Sequence, residues 1–198
     1  MGSAIRILDC TFRDGGYYNK WDFNILLVKK YLHAINESNV DVVELGLRNF
    51  PQDSFFGAFA YTTDNFIDTL DIDKSISVGV MIDAASILKK ELSINDAVNS
   101  LFQVKEKSRV DLVRIATHFD CIKQCKEIAR SLKNLGYQVG LNLMQSSVQS
   151  NYKLSKSAEL IQNWNMVDVL YFADSLGSMD SSDVIRIISV LKLGWSGD

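Results

Sequence analysis

The chain of 198 residues is 47% hydrophobic and 23% charged, an ordinary globular composition that is long enough to bury one sizeable core. A net charge of −3 gives no basic footprint for nucleic acid. No apolar run approaches the roughly 18 residues of a membrane span, and the N-terminus lacks a signal peptide's basic-then-apolar organisation, which leaves the cytoplasm as the default location. Three cysteines argue against a disulfide framework, and with only two histidines against a zinc cluster.

The first expected element is an apolar strand over Ile5–Cys10, running into Thr11-Phe12-Arg13-Asp14-Gly15-Gly16. An adjacent guanidinium and carboxylate suit metal-assisted carbonyl chemistry. Arg13 can grip a carboxylate or a developing enolate with two hydrogen bonds, and Asp14 can offer an anionic oxygen to a divalent cation. The two glycines are expected to turn the backbone tightly. A helix follows over Asp22–Glu37, with Lys29, Lys30 and His33 on its solvated face.

Next come a strand over Asp41–Gly46 and a long loop from Leu47 to Thr63. The loop holds Arg48, Asn49, Pro51 and the aromatic residues Phe55, Phe56, Phe59 and Tyr61. Helices are expected over Asp64–Leu70, Ile94–Lys107, Cys121–Leu135, Ser155–Trp164 and Ser181–Leu191. Gly136 stops the helix from Cys121, and Asp183 sits in the first turn of the last one. The intervening strands are Ile76–Ile82, Val110–Thr117, Tyr137–Met144 and Val167–Ala173.

Successive strands start 36, 35, 34, 27 and 30 residues apart, the spacing of βα units in which each parallel strand needs a crossover helix. Two α/β architectures fit six such units: a doubly wound sheet and most of a TIM (βα)8-type barrel. Side-chain parity favours the barrel. Glu44 interrupts an otherwise apolar second strand and Arg114 the fourth, and a barrel interior filled in layers by alternate strands can pair them. The doubly wound fold lacks its fingerprint, because Asp14-Gly15-Gly16-Tyr17-Tyr18 does not supply three spaced glycines.

Barrel chemistry sits at the carboxyl ends of strands. Those ends offer Arg13 and Asp14, Glu44, Asp83, His118, Asn142 with Gln145, and Asp174 with Ser175. The first segment resembles the opening signature of the metal-dependent aldolase, acyl-transferase and lyase barrels, which include 4-hydroxy-2-oxovalerate aldolase, isopropylmalate synthase and hydroxymethylglutaryl-CoA lyase. Val43-Glu44-Leu45-Gly46-Leu47-Arg48, Val113-Arg114-Ile115-Ala116-Thr117-His118 and Tyr171-Phe172-Ala173-Asp174-Ser175-Leu176-Gly177-Ser178-Met179 continue the resemblance in strand order.

The resemblance implies a lyase that cleaves or forms a 4-hydroxy-2-oxo acid through a pyruvate enolate, with Mn2+ or Mg2+ as cofactor. Arg13 would stabilise the enolate and Asp14 would bind the metal. Glu44 and Asp174 would orient substrate or neighbouring groups, unless Glu44 only pairs with Arg114 and Asp174 only caps a turn. His118 would line the site. Where the closest family pattern has a histidine base this chain has Tyr17, and a tyrosine with its usual pKa of about 10 is a poor base near neutrality. Tyr17, Tyr18 and a metal-bound water are the candidates for proton transfer.

The family's two histidine ligands belong to a seventh strand, expected beyond Asp198. Residues 1–198 are therefore expected to form the N-terminal part of a single barrel domain without strands seven and eight. The expected partners are a small 2-oxo acid and an aldehyde, with no nucleic acid and no membrane, and a homo-oligomer is compatible with the open edges. Two other readings stand beside the aldolase: an acyl-CoA-dependent condensing enzyme of the isopropylmalate-synthase type, and a non-catalytic barrel kept as a binding module.

Overall fold

The computed structural model describes residues 5–197, so the outermost residues of the expected 1–198 domain lie outside it. In chain order the elements are β1 (Leu8–Asp9), α1 (Thr11–Asn19), α2 (Ile25–Asn36), β2 (Val42–Leu47), α3 (Asp64–Ile67), β3 (Ser77–Asp83), α4 (Ala84–Leu88), α5 (Ile94–Leu101), β4 (Val110–Thr117), α6 (Ile122–Asn134), β5 (Gln138–Leu143), α7 (Asn151–Gln162), β6 (Val169–Phe172) and α8 (Ser181–Leu191). The strands are hydrogen-bonded in chain order from β1 to β6. The neighbours β1–β2, β2–β3 and β5–β6 pair in parallel. An order without reversal is that of successive βα units and not of a doubly wound sheet, whose order reverses at a switch point.

The residues pack as two compact units, one of residues up to 82 with 103–113, the other of 83–102 with 114 onward. In the first unit Val43, Leu45, Val78 and Val80 are fully buried, and Val28, Leu32 and Ile35 form the buried stripe of α2. Each such side chain withdrawn from water contributes about 1.5–3 kcal/mol. Polar groups close this unit at its edges. Asp111 accepts the Val78 N–H at 2.9 Å, and the Asp64 carboxylate takes both Arg48 and the Ser108 hydroxyl.

In the second unit α6 buries Ile122, Cys125, Ile128, Ala129 and Leu132 at helical spacing. Val139, Leu141 and Leu143 of β5 are fully buried. Side-chain caps start the helices here: Ser93 on α5, Ser150 on α7 and Asp180 on α8 each accept a backbone N–H from the first turn. Gly136, at φ 93°, follows α6 as expected of a glycine that ends a helix.

Three expectations need correction. The strand expected over Ile5–Cys10 is paired only at Leu8–Asp9, because Ile5 and Ile7 project into solvent. The helix expected over Ile94–Lys107 ends at Leu101, and a short 3-10 turn covers Lys105–Lys107. Gly15 and Gly16 form no tight turn, since both lie inside α1. The five-residue helix α4 carries no periodic signal in the sequence; Asp83 starts it by accepting the Ala85 N–H.

Candidate active site

The segment after β1 is helical because its flanks fix it. Asp9 accepts hydrogen bonds from the Thr11 backbone and hydroxyl, both at 3.0 Å, and from the Tyr31 phenol at 2.5 Å. Burial first, then this bond, pushes the Tyr31 phenol well above its ordinary pKa and keeps it a donor. Phe12 is buried and stacks on Phe23 and Tyr31 at 4.3 and 4.0 Å. After α1 the chain reverses through Lys20 and Trp21, both in the left-handed region at φ 58° and 56°. This brings the Trp21 indole onto Gly16, where a Cβ would lie 2.0 Å from Cδ1. The indole Nε1 donates to the Arg13 carbonyl at 3.0 Å. The glycine therefore provides close contact, and that contact fixes the backbone of Arg13.

Arg13 spreads its guanidinium over two carboxylates. Its Nε donates to Glu44 at 2.8 Å, and its Nη1 forms an ion pair with Asp14 at 2.5 Å. Glu44 has 0% of its side chain exposed, Arg13 13% and Asp14 60%. A bulge at Leu45 interrupts the β2–β3 register next to Glu44, the kind of irregularity that re-aims a strand residue. Burial works against the charge on Arg13, but the charges of Glu44 and then Asp14 outweigh it, and the net shift is upward. Nη2 has no acceptor among the described residues. A buried carboxylate thus aims a partly open guanidinium, which suits recognition of a planar anion.

Asp14 also accepts from the Cys10 thiol at 3.5 Å, one helical turn back. Among the described residues no three His, Cys, Asp or Glu side chains are grouped to hold a metal ion. They supply Asp14 as a single exposed carboxylate, which is one ligand and not an enclosing set. Tyr17 is 61% exposed, one turn after Arg13 on α1, with its ring edge-on to Trp21 at 4.6 Å. Arg48, in the loop after β2, is buried and donates to the Thr62 carbonyl and the Asp64 carboxylate. It holds that loop, a role for which a lone arginine in a loop gives no sequence signal.

In the second unit Arg114 is buried with its guanidinium carbon 5.2 Å from the centre of the Tyr171 ring. His118, just past β4, is exposed. Asp174 is exposed and accepts the Met179 and Ser178 N–H groups, both at 2.9 Å, which lowers its pKa and folds the loop after β6. Gln145 stands in the left-handed region at φ 56° and its N–H donates to the Ser175 hydroxyl. The structure therefore brings Arg13, Asp14 and Glu44 together in the first unit, and places His118 and Asp174 in the second.

No family model matches the chain. It is 27% identical over 198 residues to a Geobacillus genomosp. 3 protein named 4-hydroxy-2-oxovalerate aldolase, covering 96% of this chain and 54% of the relative. It is 29% identical over 192 residues to a protein of the same name from Pelotomaculum thermopropionicum, covering 95% of this chain and 53% of that one. A crystal structure of the N-terminal domain of a Bacteroides vulgatus protein, provisionally named an aldolase, superposes with a TM-score of 0.84 at 30% identity. That match covers 98% of this chain and 62% of the other. The chain spans about half the length of the curated relatives it matches.

Proposed function

We propose that this chain, a relative of the 4-hydroxy-2-oxovalerate aldolases, forms six βα units of a (βα)8 barrel and serves in the cleavage or formation of a 4-hydroxy-2-oxo acid through a pyruvate enolate. The observation that carries the reading is Arg13, held by buried Glu44 with one guanidinium edge left for a ligand. A 2-oxo acid presents a carboxylate and a neighbouring carbonyl oxygen in one plane, which matches that edge.

In cleavage a base takes the proton from the 4-hydroxyl, the C3–C4 bond breaks, and its electron pair passes to the 2-oxo oxygen. Arg13 complements the negative charge that develops there. The aldehyde leaves and the enolate takes a proton at C3 to become pyruvate. Tyr17, one turn from Arg13, and Tyr18 remain the side-chain candidates for the proton transfer, and Glu44 is a positioning residue. Within the second unit, Asp174 holds the loop after β6, and His118 stands exposed just past β4. A hard divalent ion such as Mn2+ or Mg2+ would take Asp14 as one ligand and would polarise the 2-oxo group when bound.

The test is pyruvate release from 4-hydroxy-2-oxopentanoate with added Mn2+, followed by coupled NADH oxidation. Release is expected, with a loss of roughly 100-fold or more in Arg13→Lys, where a point charge replaces the planar fork. No release across aldehyde chain lengths, with no metal uptake, refutes the lyase reading. Binding of the acid without release points to a binding module.

A further inference from the structure

In β5 the side chains alternate. Val139, Leu141 and Leu143 face one way and are fully buried, while Gly140 and Asn142 face the other. On the Gly140 side a Cβ would meet the Tyr171 ring at 2.8 Å and Arg114 Cγ at 3.5 Å. The missing side chain lets the Tyr171 ring lie back across β5 towards Arg114. Asn142 is the register partner of Tyr171, one residue before the carboxyl end of β5. It is 6% exposed, and its buried Oδ1 has no hydrogen-bond partner. Native proteins rarely bury an amide oxygen in this way, and such a group calls for a ligand or another specific cause.

We infer that the Asn142 carboxamide is the hydrogen-bonding group for a hydroxyl of the bound ligand, and that it selects the 4-hydroxy-2-oxo acid over the acid lacking that hydroxyl. That selectivity rests on the proposed aldolase reading. A hydroxyl both donates to Oδ1 and accepts from Nδ2, so it satisfies both ends of the amide, whereas an ionised carboxylate only accepts. The position at a strand's carboxyl end is where βα folds take their ligands. Asn142 acts on the ligand's hydroxyl alone, so its loss should remove the preference between the two acids and leave the affinity for the acid lacking the hydroxyl unchanged.

The experiment compares 4-hydroxy-2-oxopentanoate with 2-oxopentanoate by titration calorimetry on the wild-type chain and on Asn142→Leu. The wild type is expected to prefer the hydroxy acid by roughly 10- to 100-fold, the effect of leaving a buried polar group unpaired. In Asn142→Leu both acids should bind equally, at the affinity of 2-oxopentanoate. A wild type that binds both equally, or a variant that keeps the preference, overturns the inference while leaving 2-oxo acid binding intact. If neither acid binds the wild type, the aldolase reading itself fails. In protein labelled with 15N asparagine, the Asn142 side-chain amide signal should shift with the hydroxy acid and not with 2-oxopentanoate. This reads the contact without a substitution, and no shift at saturation contradicts it.

Discussion

Adjacent glycines in α1 should respond to alanine with opposite signs. At Gly15 an added Cβ meets only the Phe23 ring, at 3.9–4.0 Å, an ordinary contact. Gly15→Ala therefore gains the helix-interior advantage of alanine, up to about 1 kcal/mol. At Gly16 the Cβ would sit 2.0 Å from Trp21 Cδ1 and 2.2 Å from Nε1. The indole is buried and bonded to the Arg13 carbonyl, so it must move. Overpacking costs about 1–3 kcal/mol and the lost hydrogen bond about 1 kcal/mol, against the same 1 kcal/mol helix gain. Gly16→Ala is thus expected to destabilise by about 1–3 kcal/mol. Urea unfolding followed by tryptophan fluorescence and circular dichroism measures both variants, with an unchanged m-value as the check on two-state behaviour. Equal effects of one sign would refute the idea that Trp21 packing fixes the backbone of Arg13.

Two pH-dependent outcomes follow. Asp174 has its pKa lowered by the Met179 and Ser178 N–H groups, so its contribution is present above the unfolded value of about 3.9 and is lost as pH falls through the folded value. The melting-temperature gap between wild type and Asp174→Asn should be open at neutral pH and close on acidification; a gap that widens in acid would contradict this. Burial pushes the Cys125 thiol up to about 11, from an ordinary value near 9.0. Stability should fall as pH rises from 9 towards 11, because the unfolded thiol ionises first. At pH 8 a thiol reagent should label Cys10 and Cys121 before Cys125, and rapid labelling of all three in native protein would show that α6 is not packed as described.

Where local pattern and packing agree, the sequence is a good guide. β4 at Val110–Thr117 and α8 at Ser181–Leu191 lie where β-branched runs and helical spacing put them. The Gly15-Gly16 pair reads locally as a turn, yet it is helical, because buried Phe12 and the returning Trp21 outweigh the poor helix propensity of glycine. That override is tertiary, and only the position of Trp21 reveals it. At the site, Arg13, Asp14 and Glu44 stand out as charges at strand ends. The bond from Arg13 to Glu44 does not, since strand parity directs attention to Arg114, and only the helical start of α1 carries Arg13 over β2. The unpaired Asn142 amide has a legible trace: an asparagine two residues after a glycine, on the face opposite Val139, Leu141 and Leu143.

Arg13 is proposed to recognise the carboxylate and enolate oxygens of a 2-oxo acid. Oxalate, a planar dianion shaped like the pyruvate enolate, tests it most directly by calorimetric titration of wild type and Arg13→Lys, with circular dichroism confirming that both are folded. Loss of paired charge-assisted hydrogen bonds should weaken binding by roughly 10- to 100-fold in the variant. Equal affinity in the two proteins, or no oxalate binding to the wild type, would contradict the account.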